Sequence, residues 1–210
     1  MKKTIAVIGG GAAGMMAAIV SAREGAEVTI YEHTDRLGKK ILSTGNGKCN
    51  LTNYDMLPEY YNSSNPALVE QCLKTFGVQE SLDFFDSLGL WTKEKNGYVY
   101  PLAEQAAVVL DVFRYTVEAL GIKVETGVQV SKVYPVANTN GNACVCVEVN
   151  GKKQFFHSVI LACGSKAAPK TGSDGSGYDL AKNLGHKIMP VLPSLVQLKC
   201  SDAFCKALAG

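Results

Sequence analysis

The sequence contains no C-x-x-C pair, although it carries seven cysteines: Cys49, Cys72, Cys144, Cys146, Cys163, Cys200 and Cys205. Their number is odd and their spacing irregular, so neither a zinc site nor a disulfide framework is signalled. Reduced thiols in a cytoplasmic protein are the resulting expectation. Excess charge of one sign is also missing: a net charge of +2 gives no reason to expect nucleic acid or an anionic membrane as a partner. No run approaches the roughly 20 apolar residues that a membrane span needs. Met1-Lys2-Lys3 followed by an apolar stretch through Val20 has the outline of a signal peptide, but three consecutive glycines interrupt it and no clear A-x-A cleavage site follows. What remains is an ordinary globular composition, 47% hydrophobic and 19% charged over 210 residues. That length is enough for one large domain, or one domain and part of another.

The stretch that organises the rest is Thr4-Ile5-Ala6-Val7-Ile8-Gly9-Gly10-Gly11-Ala12-Ala13-Gly14. A β-branched apolar run enters three glycines and leaves into helix-favouring residues, in the order strand, tight turn, helix. Gly9, Gly11 and Gly14 fall at the G-x-G-x-x-G spacing. Gly9 suits the tight turn, Gly11 lets a pyrophosphate approach the backbone, and Gly14 lets helix pack closely on strand. A helix beginning near Ala12 and Ala13 directs free N–H groups and its positive dipole end at such a phosphate. The second strand, Val28 to Tyr31, closes on Glu32, whose carboxylate can accept from an adenosine ribose and repels an extra 2′-phosphate. Dinucleotide binding is the functional reading of these residues, and a merely structural glycine turn is the alternative.

Further along, Asn65-Pro66 opens a helix that runs to about Phe76, with Gly77 as its stop. A second helix is expected from near Glu80 to Leu88, with Leu82, Phe85 and Phe84 as its inward candidates and Gly89 closing it. A hairpin turns at Asn96-Gly97. A longer helix spans about Ala103 to Leu120, its apolar residues Ala106, Val109, Leu110, Phe113 and Val117 at three- and four-residue spacing. The period then becomes two, over Gln129 to Val133 and over Ala143 to Val149. Turns at Asn140-Gly141 and Asn150-Gly151 and a return strand from Gln154 complete a three-stranded antiparallel meander. Cys144 and Cys146 share one face of their strand, as packing residues do. Ser158 to Ala162 is a continuous apolar run of the buried parallel kind. The expected fold is therefore α/β, Rossmann-like, with a parallel central sheet and a three-stranded meander.

This order resembles the glutathione-reductase type of FAD-binding domain, in which a meander replaces a crossover helix. Ala162-Cys163-Gly164 stands where such domains carry Ala-Thr-Gly against the cofactor. The chain also resembles a bacterial flavoprotein family described as aminoacetone-oxidase-like or bile-acid-reductase-like. The matching pieces are Leu37-Gly38-Lys39-Lys40, Ser43 to Asn53, Tyr98-Val99-Tyr100-Pro101, and Ala162 to Gly185 with Thr171-Gly172-Ser173-Asp174-Gly175. Read without the resemblance, the Ile41–Asn53 segment fits a loop that wraps a polar ligand and equally an ordinary surface loop, the commoner of the two. The resemblance implies that Asn46, Gly47, Lys48, Cys49 and Asn50 approach the isoalloxazine ring, and that Val130 holds the adenine by main-chain bonds. It adds His33 and Arg36 to the cofactor-binding set; Lys39 or Lys40 can neutralise phosphate charge.

The resemblance implies FAD as cofactor, a small-molecule substrate, and a nicotinamide nucleotide or oxygen as electron partner. It also implies a second domain inserted after Pro193-Ser194-Leu195. Residues 1–190 are then the first part of a discontinuous FAD-binding domain, and residues 191–210 begin the insertion. On that expectation the 210 residues are the front part of a flavoprotein, binding FAD weakly alone. A non-catalytic dinucleotide-binding module and an NAD-dependent dehydrogenase domain are the competing readings; the meander and the Gly45–Asn53 loop speak against the latter. Two roles are open for Cys49: a reactive thiolate, with Lys48 beside it to lower its pKa, or a small residue packed near the cofactor. His33, His157 and His186 have no carboxylate or serine partner at a recognisable spacing, so none is assigned a catalytic role.

Overall fold

The computed structural model describes residues 2–137, 143–193 and 204. Strand β1 (Thr4–Ile8) passes through the glycine turn into helix α1 (Ala12–Arg23), and the chain returns as β2 (Glu27–Glu32). A short 3-10 segment covers Ile41–Gly47, followed by β3 (Thr52–Asn53). Helices α2 (Pro66–Thr75) and α3 (Val78–Ser87) precede the hairpin of β4 (Thr92–Lys95) and β5 (Tyr98–Pro101). Helix α4 (Ala106–Ala119) leads to β6 (Lys123–Thr126) and then to the meander β7 (Val130–Ala137), β8 (Ala143–Val149) and β9 (Lys152–Phe156). Strand β10 (Ser158–Leu161) and helix α5 (Ser176–Asn183) complete the described elements.

The parallel sheet has the order β10-β1-β2-β6. Ile8 lies in register with Leu161 on one side and Tyr31 on the other, so three strands end together at their carboxyl edge. Both faces of β1 are covered, which is why its side chains read as an unbroken apolar run. Val7 and Ile30 join Met15, Ile19, Leu110 and Phe113 on the helical side. Ala6, Ile8 and Tyr31 join Val133, Val147 and Phe156 on the meander side. Helices, sheet and meander thus form three layers around one parallel sheet. Phe113 also meets Phe84 and Phe85 at ring-centroid distances of 6.1 and 5.8 Å. Such aromatic pairs contribute about 0.5–1.5 kcal/mol beyond their area burial.

The five apolar positions expected to face inward in α4 are its five buried residues. The helix starts at Ala106, three residues later than expected, because Pro101 ends β5 and Glu104 takes a left-handed conformation (φ 50°) that no helix continues. Asn65 caps α2 through its side chain, accepting from Leu68 N–H at 3.2 Å. Gly77 does not stop that helix; Phe76 does, and Gly77 is the N-cap of α3, its N–H donating to Glu80 Oε2 at 2.8 Å. In α3 the fully inward ring is Phe84, whereas Leu82 and Phe85 are half-buried. Strand β10 is parallel, but it sits at the sheet edge and its residues Val159 to Leu161 are half-buried. The Asn140-Gly141 turn and most of residues 191–210 lie outside the described residues. Among the described residues, no helix is long and apolar enough to cross a membrane.

Candidate functional site

Each glycine of the first turn has its own steric reason. Gly9 takes φ +104° and donates its N–H to Tyr31 O at 2.8 Å; a Cβ there would lie 2.5 Å from the Ala162 carbonyl oxygen. A Cβ on Gly14 would run into the Gly9 carbonyl, so α1 packs onto β1 only with glycine at that position. Gly11 differs, since a Cβ there would meet nothing within 4 Å. It lines an open cleft, and the space beside its backbone belongs to that cleft. Gly11 is also the N-cap of α1 and offers no side-chain cap, so its first turn keeps free N–H groups at this edge.

Glu32 is 7% exposed and has two backbone partners. Its Oε2 accepts from Gly10 N–H at 2.6 Å and its Oε1 from Thr34 N–H at 2.8 Å, with His33 Nδ1 3.4 Å from Oε1. The carboxylate therefore fixes the glycine turn to the end of β2 as well as facing the cleft. Each of its oxygens retains a second acceptor site for a ligand hydroxyl. Gly10, not singled out in the sequence, is the residue this contact requires: a Cβ there would strike the Leu37 side chain.

The cleft has a volume of about 210 Å³ and opens to solvent on one side, at the carboxyl ends of β10, β1 and β2. It is lined by Gly9, Gly11, Ala12, Ala13, Glu32, His33, Lys39, Lys40, Val130, Ala162, Cys163 and Gly164, all of them expected from the sequence. Lys39 pairs with Asp35 at 3.7 Å, and the Lys40 ammonium donates to the hydroxyl of buried Ser173. Cys163 Sγ lies 3.4 Å from the Ile8 carbonyl oxygen, and burial pushes its thiol pKa up to about 11. A thiol of that pKa is neutral and inert at neutral pH. A side chain on Gly177 would press on this sulfur at 3.1 Å, so α5 begins with small residues.

Thirteen lining residues were not placed at the site from the sequence, among them Thr34, Gln129, Thr171, Gly172 and Ser173. Gly172, at φ +96°, lets the 169–173 turn close onto Thr34 and His33, where a Cβ would lie 3.0 and 3.3 Å away. The sequence signal was the cluster of turn residues Thr171-Gly172-Ser173, but only tertiary contact brings it beside Lys40.

Seven expected residues do not line the cleft: Gly14, Arg36, Asn46, Gly47, Lys48, Cys49 and Asn50. Gly14 serves packing, and Arg36 is exposed, its carbonyl accepting from Thr34 Oγ1. The segment after Thr44 is bent by four left-handed residues, Gly45, Asn46, Gly47 and Cys49, at φ between 53° and 81°. That conformation explains the Gly-Asn-Gly composition. Lys48 pairs with Glu104 at 2.9 Å and Lys93 with the same carboxylate at 2.7 Å, which together depress the Glu104 pKa to about 2. Cys49 is buried within the hydrophobic core, and burial raises its thiol pKa. Of its two roles, packing is the one that its place in the core fits, and Lys48 reaches toward Glu104.

Residues 3–202 match the family described as "HI0933-like protein Rossmann domain". The chain is 46% identical over 206 residues to a 3-dehydro-bile acid delta(4,6)-reductase of Clostridium scindens, covering 97% of this chain and 49% of that protein. It is 29% identical over 206 residues to a ribosomal RNA dihydrouridine synthase of Haemophilus influenzae, covering 97% and 51%. The chain thus spans about half the length of these curated relatives. Among solved structures, the 3-ketosteroid-delta4-(5alpha)-dehydrogenase of Rhodococcus jostii RHA1 superposes with a TM-score of 0.61 at 18% identity, covering 89% of this chain and 54% of that one. That likeness is one of fold.

Proposed function

The chain belongs to the HI0933-like Rossmann-domain family, and from that premise we propose that residues 1–190 form the FAD-binding part of a flavin-dependent oxidoreductase. The observation that carries the reading is Gly11. The two neighbouring glycines of the motif are filled against protein atoms, while the space beside Gly11 opens into the cleft. A dinucleotide fits the donor set. The free N–H groups of the first turn of α1 and the Lys40 ammonium suit a pyrophosphate, Glu32 suits a ribose, and Val128 to Val130 supply backbone for an adenine. Bound FAD supplies hydride or electron transfer at its ring nitrogen N5.

The chain's own residues bind, orient and exclude water. Glu32 holds Gly10, and through it the turn, so the pyrophosphate donors are fixed before a ligand arrives. Lys40 and Ser173 tie the 169–173 turn over the cleft. The Gly45–Asn53 loop lies on the next stretch of chain after cleft-lining Thr44, and we assign it to the isoalloxazine end. The substrate we propose is a small molecule rather than RNA, supported by the higher identity to the bile acid reductase than to the rRNA enzyme. A nicotinamide nucleotide or oxygen is proposed as electron partner, and residues 191–210 as the start of a second domain.

The test is a visible spectrum of the purified protein, followed by heat release and chromatography of the cofactor. Flavin absorbance with FAD in the extract supports the reading. Recovery of only FMN or a nicotinamide nucleotide, or failure of added FAD to bind, overturns it.

A further inference from the structure

A second constellation lies outside the cleft, on the hairpin. In the β4–β5 register Lys93 is opposite Tyr100 and Lys95 is opposite Tyr98, so these four side chains share one face of the ladder. The other face carries Val99 and Pro101 into the core. The shared face is amphipathic in an unusual way: two lysines beside two tyrosines whose ring centroids are 6.4 Å apart at 38°. Lys48 and Glu104 border it, and Lys48, Lys95, Asn96, Tyr98, Tyr100 and Glu104 together line a surface depression. Lys48 and Lys93 both pair with the single Glu104 carboxylate, whereas among the described residues Lys95 has no ion-pair partner. Two ammonium groups, Lys48 and Lys95, against the one Glu104 carboxylate leave the depression cationic. Glu104 holds its place from a left-handed backbone (φ 50°), which side chains other than glycine seldom adopt.

We infer that this hairpin face is an anchor for the anionic end of a ring-bearing substrate, a carboxylate or phosphate held by Lys95 and Lys48 while the ring body lies on Tyr98 and Tyr100. Charge complementarity selects the anion, and exposed aromatic faces select a planar or alicyclic body over a flexible chain. The face is tied to the proposed flavin loop by hydrogen bonding: β3, the end of that loop, pairs with β5 through Thr52 and Val99 and through Asn53 and Tyr98. A molecule anchored here is therefore held beside the segment assigned to the isoalloxazine end. As a substrate anchor the inference rests on the oxidoreductase reading; anion binding at the hairpin is measurable without it.

Trp91 makes the measurement direct. It is the single tryptophan of the chain, is 73% exposed, and lies two residues before Lys93, its carbonyl accepting from Leu102 N–H at 2.8 Å. Tryptophan emission is followed while the whole protein is titrated with cholate, a ring-bearing carboxylate, and separately with uridine 5′-monophosphate, a ring-bearing phosphate. Saturable binding of either one, weakened about threefold to tenfold by Lys95→Gln and weakened by added salt, supports the inference; the arm that saturates names the anion's source. Glu104→Gln should tighten the same ligand by about threefold, because it removes the one opposing charge, an effect a purely structural role does not produce. Binding that neither variant alters, binding of uridine as tight as that of its monophosphate, or no saturation by either probe overturns it. So does saturation by a uridine-rich oligonucleotide alone, which would assign the face to RNA. A parallel titration with FAD, read by flavin fluorescence, separates the two readings: loss of FAD binding with intact cholate binding sinks only the cofactor assignment.

Discussion

The cleft and the hairpin face are built from opposite materials. At the cleft the proposed recognising groups are mainly backbone, opened to the cleft by the absence of a side chain at Gly11, held by the close packing of Gly9 and Gly14, and fixed by one buried carboxylate. On the hairpin the groups are long side chains, Lys48, Lys93, Lys95, Tyr98 and Tyr100, standing on a two-stranded ladder. A backbone site is damaged by adding atoms and a side-chain site by removing them. The two therefore answer differently to mutation, salt and acid.

The sharpest way to break the comparison is to put the same side chain at two glycines of one motif. Gly14→Val would drive a branched side chain into the Gly9 carbonyl, and a loss of about 3 kcal/mol of folding stability is expected. A Cβ at Gly11 meets no protein atom within 4 Å, so the melting temperature of Gly11→Val should match the parent's while FAD affinity falls about a hundredfold, or ~3 kcal/mol. Thermal melts beside FAD titrations check both; a Gly11→Val protein with parental affinity would place the ligand elsewhere.

Glu32→Ala comes next, because it strikes the one side chain on which the cleft depends. It leaves Gly10 and Thr34 N–H groups without their carboxylate, and the expected loss is about 1–3 kcal/mol in FAD binding, with a smaller loss of stability. Full affinity in this variant would separate Glu32 from the ribose. Cys49→Ser should cost about 1 kcal/mol of stability, the order of one buried hydroxyl's imperfect bonding, and leave FAD affinity unaltered. A protein-linked flavin found by mass spectrometry of the parent would instead restore the reactive role.

The smallest effect belongs to the hairpin and appears only in acid. The Glu104 pKa is depressed in the folded protein to about 2 by Lys93 and Lys48, below an ordinary value of 4.5. A depressed carboxylate contributes stability that is present above its unfolded value and is lost as pH falls through the folded one. Carboxyl chemical shifts followed from pH 6 to pH 2 should show Glu104 titrating last among the exposed glutamates. A Glu104 midpoint near 4.5 would mean that the two lysines do not hold it in solution.

Much of the cleft could be read in the sequence because its first half is contiguous: strand, glycine turn, helix and Glu32 occupy residues 4–32, and local spacing decides them. The five buried positions of α4 were equally legible, since a 3.6-residue period needs no distant partner. Gln129 and Ser173 were not, because they reach the cleft only when the meander and the 169–173 turn fold onto the sheet. The double use of Glu32 was hidden for the same reason: its partner Gly10 is 22 residues away, and nothing local shows that a backbone donor faces it. Helix α2 carries apolar residues at helical spacing but buries none of them, Leu68 being 54% exposed. Periodicity announces an amphipathic face, not what covers it. The lysine–tyrosine face shows up only in the cross-strand register, which the Asn96-Gly97 turn sets.

Strand β1 takes one neighbour from residues 27–32 and the other from residues 158–161. Contacts such as that between Thr4 and His157 span 153 positions of chain. During synthesis the β1–α1–β2 unit can assemble as soon as it emerges, but the edge that carries Ala162 and Gly164 is made much later. The growing chain thus holds its glycine turn early and exposes one side of its central strand until β10 arrives. High sequence separation slows such a closing step, and an unpaired parallel edge invites association while it waits. A ligand that gripped the finished cleft would reward this late arrival, so added FAD is expected to raise the refolding yield more than it raises the rate of the earliest phase.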